Sequence, residues 1–163
     1  MTRLTVRAYQ AEDADQLGEV FYASVHGGAA RAYDAEQRSA WCPEPPSGSV
    51  WRDRLAPLEC VVAENESGII GFMCFEPETG YIDFSYVVPA AMGKGVADAL
   101  YAVCEGRLRA RGIRTLTVQA SELARSFFLR HGWQVQSRQE IERRGVMLHN
   151  YRMEKHLSRE MVA

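Results

Sequence analysis

Near the start of the chain, Leu4 and Val6 alternate with Thr5 and Arg7, a period of two that predicts a strand. Leu17, Val20, Phe21 and Val25 then recur at helical spacing. Asp13 and Gln16 offer a capping box ahead of them, and Gly27-Gly28 ends the run. A second helix can start at Asp34, with Gln37 in the reciprocal position, carry Trp41 and stop at Pro43 to Pro46. A helical turn is expected around Trp51 to Leu55. Three strand-like runs follow, Cys60–Ala63, Ile69–Phe75 and Tyr81–Val88, separated by the turns Asn65–Gly68 and Pro77–Gly80. Turns this short imply an antiparallel meander.

After Pro89 the period changes. Ala97, Leu100, Tyr101, Cys104 and Leu108 form one helical face that Gly112 closes, and Thr115–Ala120 reads as a strand. Tyr81–Val88, this helix and Thr115–Ala120 make a βαβ crossover, expected to be right-handed. Leu123, Ala124, Phe127, Phe128 and His131 give another helix, stopped at Gly132. Val135–Ile141 and Val146–Met153 read as a closing hairpin through Arg143-Arg144-Gly145, whose arginines suit a solvated tip. The expected architecture is α/β: a mixed, mostly antiparallel central sheet flanked by helices on both faces, in a single domain over 1–163.

Composition narrows the chemistry only slightly. With 163 residues, a core can form without metals or disulfides, and a formal net charge of -2 gives no global case for nucleic acid or an anionic membrane. The four cysteines, Cys42, Cys60, Cys74 and Cys104, are scattered without metal-ligand spacing, and are expected as buried free thiols. The N-terminal residues from Met1 to Gln10 hold no hydrophobic signal core, and no apolar run reaches the ~20 residues of a membrane span. A cytoplasmic location is the expectation.

The segment from Val88 to Ala97 joins a strand to a helix, and its glycines allow a tight turn and close approach to a ligand. Unpaired first amides and the positive end of the helix dipole suit a pyrophosphate. A plain glycine-containing cap has the same local features. Asp98 stands where a dinucleotide fold needs glycine, and Lys94 is followed by Gly95 rather than Ser or Thr, so neither nucleotide signature fits.

The stretch Met92-Gly93-Lys94-Gly95-Val96-Ala97 resembles the [QR]-x-x-G-x-[GA] loop of the GNAT N-acetyltransferase superfamily, with Met92 replacing Arg or Gln. Ser121 to Phe128, followed by His131-Gly132-Trp133, is similar to that family's N-x-x-A-x-x-[FL]-[YF] then G-[FW] segment, with Ser121 at the Asn position. Asn150 to Lys155 and Ala40 to Pro43 look like the YafP-like branch of small bacterial acetyltransferases. The resemblance implies a GNAT-like fold whose crossover carries the coenzyme loop. It also implies acetyl-coenzyme A as cosubstrate, no metal, a small-molecule or protein amine as acceptor, and a homodimer. Coenzyme contacts are expected from Val87, Val88, Met92, Gly93, Lys94, Gly95, Val96, Ala97, Ser121 and Phe128. A noncatalytic acyl-coenzyme A binding or sensing module is the alternative.

Direct attack by an amine needs a free lone pair, and at a pKa of ~10.4 only about one alkylamine in a thousand has one at neutral pH. Asp83 is the candidate base, four residues before Val87 and so on the same face of a period-two strand. The same aspartate suits a structural pairing with an arginine. Many relatives place a tyrosine acid where this chain has Phe128, which has no proton to give. Tyr151 is the substitute candidate, with Tyr86 and Tyr101 behind it; an ordinary strand tyrosine fits Tyr151 equally. His26, Tyr33 and Trp41 are candidate acceptor-lining residues, although His26 also suits a helix end and Trp41 a core. Histidine titrates near neutrality, so His131 and His149 can be read as catalytic; His131, just before Gly132, suits a helix C-terminus better.

Overall fold

The computed structural model describes residues 3–158; positions 1–2 and 159–163, the ends of the expected 1–163 domain, lie outside them. The strands are β1 (Thr5–Ala8), β2 (Glu59–Asn65), β3 (Gly68–Phe75), β4 (Tyr81–Val87), β5 (Thr115–Ala120), β6 (Gln134–Arg143) and β7 (Val146–His156). The helices are α1 (Ala14–Ala23), α2 (Ala35–Trp41), α3 (Gly48–Leu55), α4 (Val96–Ala110) and α5 (Glu122–Arg130). The strands form one seven-stranded sheet in the order β1-β2-β3-β4-β5-β7-β6. All neighbours run antiparallel except β4 and β5, which the α4 crossover makes parallel.

Alternation along the central strands fills a core on each face. One face takes Met73 and Phe75 of β3 with Leu100 and Leu108 of α4 and Phe128 of α5. The other takes Val62, Phe72 and Phe84 with Leu17 and Val20 of α1 and Trp51 and Leu55 of α3. Each fully buried leucine or phenylalanine contributes about 1.5–3 kcal/mol. A third, smaller cluster joins Ala29 and Tyr33 to Leu148 of β7, fastening the chain between α1 and α2 to the closing hairpin.

Four expectations are corrected. Asp13 does not cap α1 with Gln16. Its carboxylate bonds Arg7 at 2.9 Å and the Gln10 amide at 2.8 Å, and a short 3-10 turn, Ala11–Asp13, precedes the helix. Cys60 and Cys74 are not free thiols: they face each other directly across β2 and β3 with Cα atoms 4.1 Å apart, and the structure joins them as a disulfide. Cys42 and Cys104 remain buried free thiols. The hairpin tip is not simply solvated, because Arg144 donates to the Ala40 carbonyl of α2 at 2.6 Å.

The fourth correction concerns β4. Phe84 pairs with Cys74 and Ile82 with Phe75, so Asp83 is an extra residue opposite no partner, a β-bulge. The bulge shifts the alternation by one: Ile82 joins the α4-side core, while Phe84 joins the α1-side core. The period-two argument that aligned Asp83 with Val87 therefore breaks at Asp83 itself.

Candidate active site

β4 and β5 stay paired only at Tyr81–Thr117 and Ile82–Val118. Beyond these two rungs the strands part. Ser85 to Val87 remain bonded to β3 on one side, and Gln119 and Ala120 to β7 on the other, with no ladder between them. The sheet is open at its middle.

A cavity of about 460 Å³ lies on the loop side of this opening, lined by Val87, Met92, Gly93, Gly95, Val96 and Ala97 among others. The loop is held from its start by the Val88 amide, which donates to Ile70 at 2.9 Å. Gly93 and Gly95 both adopt left-handed backbone, at φ 74° and 83°, which glycine accepts without cost. Gly95 is the N-cap of α4, and the first intrahelical bond there runs from Ala99 to the Gly95 carbonyl. The first amides of α4 have no partner within the helix, which leaves an anion-binding helix start beside this cavity. Met92 has its terminal methyl against Gly28, where a Cβ would collide with it, so the departure from Arg or Gln fills a gap beside the helix that ends at Gly28.

A second cavity, of about 260 Å³, lies on the other side. Its walls include Phe21, Tyr33, Trp41, Asp83 and His149. Trp41, Ser85, Tyr86, Ser121 and Ala124 line both cavities, so the two meet where the strands part. Ser121 is also the N-cap of α5, accepting the Ala124 amide at 3.2 Å. Burial pushes the Tyr86 phenol well above its ordinary range, with the Trp41 indole opposing, so Tyr86 keeps its proton. Asn150 contributes a buried amide oxygen that has no hydrogen-bond partner among the described residues.

The expected site residues divide accordingly. Val87, Met92, Gly93, Gly95, Val96, Ala97 and Ser121 line the loop cavity. Val88 and Lys94 do not; Val88 packs between the two cores, and Lys94 is exposed. Phe128 touches the second cavity from the core, 1% exposed against Trp133, and it is Phe127 that faces the loop cavity. Tyr33 and Trp41 line the second cavity. His26 does not: its Nε2 lies 2.7 Å from the Cys42 carbonyl. Asp83 reaches the second cavity with its carboxylate 2.7 Å from Arg54 of α3. Tyr151 lines neither cavity, and its hydroxyl donates to Glu122 at 2.8 Å. Tyr101 sits in the core, accepting from Trp133 and donating to Glu105. His131 bonds Asp98 at 2.7 Å, beside the start of α4.

The sequence gives Arg130 and Glu122 no role, and Arg143, expected at a solvated tip, lines the second cavity. Arg130 comes to the loop cavity only because α5 packs beside the start of α4, and Arg143 to the second cavity only because the hairpin folds back. Glu122 gathers His149, Tyr151 and Arg125, a convergence that local spacing does not reveal.

An antiparallel sheet opened by one parallel pair, with a glycine-led helix start at the opening, is the architecture this chain shares with the acyltransferases it resembles. A family model for an acetyltransferase (GNAT) domain matches residues 29–155, and the chain belongs to the GNAT acetyltransferase family. It is 33% identical over 153 residues to the uncharacterized N-acetyltransferase YafP of Escherichia coli (strain K12), covering 94% of this chain and 96% of that one. A crystal structure of a GCN5-related N-acetyltransferase from Rhodopseudomonas palustris, also labelled a class-II aminotransferase, superposes with a TM-score of 0.88 at 31% identity, over 96% of this chain and 98% of that one. The PaiA N-acetyltransferase of Thermoplasma acidophilum, solved with coenzyme A, shares the fold at a TM-score of 0.74 and 18% identity, over 94% and 99% of the two chains.

Proposed function

We propose that the protein transfers the acetyl group of acetyl-coenzyme A directly to an amine, with the cofactor in the loop cavity and the acceptor in the second. The observation that carries this reading is the parting of β4 and β5, which joins the two cavities at Ser85, Tyr86 and Ser121. The first amides of α4, with the glycine loop before them, would hold the diphosphate, and the unpaired edge of β4 at Ser85 to Val87 would bond the amide groups of the pantetheine arm. The thioester then lies at the junction, and the amine reaches it from the far side. The unpartnered Asn150 oxygen suits an acceptor N–H, and the Asp83 carboxylate suits an incoming ammonium. The departing thiol has a pKa of ~8.5, so it can leave as thiolate without an obligatory acid. Tyr86, which lines both cavities and keeps its proton, is a donor available at the junction.

Calorimetry with acetyl-coenzyme A, paired with thiol release in the presence of an amine panel, tests the reading. Saturable binding and thiol release matched by acetylated amine are expected. No binding would overturn it. Binding without release from any amine would favour a coenzyme-binding module, the reading that the apolar Phe128 and the committed hydroxyl of Tyr151 keep in view.

A further inference from the structure

We propose that His149, oriented by Glu122, takes the proton from the acceptor amine; this rests on the acetyl-transfer reading above. His149 stands on β7 and lines the acceptor cavity. Its Nε2 lies 2.6 Å from Glu122 Oε2. Glu122 is the first residue of α5, directly after Ser121, which lines both cavities. The pair therefore stands one residue from the junction where the thioester would lie.

The two residues are fixed relative to each other. The Tyr33 hydroxyl donates to the His149 carbonyl at 2.9 Å and accepts the Glu122 amide at 3.0 Å. The imidazole stacks on the Tyr33 ring with centroids 5.2 Å apart and meets Tyr151 edge-on at 5.8 Å. Glu122 is also fixed by the Tyr151 hydroxyl at 2.8 Å and by Arg125 at 3.0 Å. Burial pushes the Glu122 carboxyl up, but the hydrogen bonds from Tyr151, His149 and Arg125 together bring it below its ordinary value, so it is an anion at neutral pH. An anion at Nε2 selects the tautomer with hydrogen on Nε2, which leaves the lone pair on Nδ1. No group among the described residues donates to Nδ1. Other charged or titratable groups near the ring are Arg125 of α5, Tyr33, Tyr151, and Glu140 and Arg138 of β6. Glu140 lies across the ladder from His149, and Arg138 pairs with Glu140 at 3.5 Å.

The step balances without a further reactant. The ammonium gives one proton to Nδ1, and the neutral amine attacks the thioester carbonyl carbon. As the C–N bond forms, the C–S bond breaks and its electron pair leaves on sulfur. The second proton, shed by the nitrogen as the amide forms, goes to the thiolate, and the imidazolium returns its proton to solvent. Positioned general bases contribute about 10²–10⁴-fold.

The test uses the full chain with acetyl-coenzyme A and benzylamine as the probe acceptor, between about pH 5.5 and 9. His149→Gln is expected to lower kcat by about 10²-fold and to lose the rising limb of the pH profile, with calorimetric affinity for acetyl-coenzyme A unchanged. Glu122→Gln is expected to lower kcat severalfold with the KM for the amine unchanged, because the imidazole loses the anion that selects its tautomer. Nitrogen-15 NMR of the coenzyme-bound wild type should show His149 neutral with hydrogen on Nε2. Wild-type turnover and limb in His149→Gln would overturn the proposal, as would a hydrogen on Nδ1. If benzylamine is not acetylated, the tautomer decides alone. Failure of acetyl-coenzyme A to bind would instead remove the acetyl-transfer reading itself.

Discussion

Arg54 of α3 holds Asp83 of β4 at 2.7 Å, and its guanidinium lies 4.8 Å from the centre of the Phe84 ring next to that aspartate. The bulge at Asp83 makes this pairing, because it turns the carboxylate toward the helix that carries Arg54. Asp83→Asn separates two roles. A carboxylate that attracts the amine, with the proton taken elsewhere, predicts a KM for the amine raised severalfold with most of kcat retained. A base at Asp83 predicts the collapse of kcat instead. Steady-state kinetics at saturating acetyl-coenzyme A decides between them.

Tyr33 joins three parts of the molecule with one hydroxyl, since its donor and acceptor roles satisfy the His149 carbonyl and the Glu122 amide, and the residue is only 3% exposed. Tyr33→Phe leaves both groups unpaired. A loss of about 1–3 kcal/mol in unfolding free energy is expected, read from urea denaturation.

Gly95→Ala should act on the coenzyme rather than on the fold. A Cβ at this position has nothing within 4 Å, so packing does not resist it, but the backbone sits at φ +83°. Left-handed backbone costs an alanine about 1–2 kcal/mol. Relaxation of the loop away from that conformation should weaken acetyl-coenzyme A binding by about tenfold in calorimetry while the melting temperature changes little.

Acid stability should depend on Asp13. The hydrogen bond from Arg7 holds its carboxyl below the ordinary value, with the Gln10 amide helping against the cost of burial. The folded value is thus below the unfolded one, near ~3.9. The contribution is complete above that value and is lost as pH falls toward the folded one. Urea midpoints measured down a pH series should fall below about pH 4 in the wild type. Asp13→Asn should be less stable at neutral pH and show a flatter acid limb.

The meander, the crossover and the glycine loop could be read from the chain because each depends on near neighbours. Gly93 and Gly95 announce a left-handed turn by their identity, and the spacing of Leu100, Cys104 and Leu108 announces the buried face of α4. The bulge at Asp83 could not be read that way. One inserted residue leaves the local composition unchanged, yet it moves every later side chain to the opposite face. Cys60 and Cys74 illustrate the same limit: two scattered cysteines become neighbours only once the register of β2 and β3 is fixed. His149 and Glu122 belong to different elements and meet only after β7 inserts between β5 and β6. The place of His26 was hidden for a complementary reason. The helix containing it widens into a π turn over Ser24–Gly28, and its ring turns to the Cys42 carbonyl instead of the second cavity.

Where β4 and β5 separate, the sheet becomes two blades, β1 to β4 and β5 to β7, hinged on a pair of rungs at Tyr81 and Ile82. On the acetyl-transfer reading, an extended ligand arm lying in that slot would stand in for the missing strand. Cofactor occupancy would then also be a folding event, clamping one blade to the other, and the melting temperature should rise with its concentration.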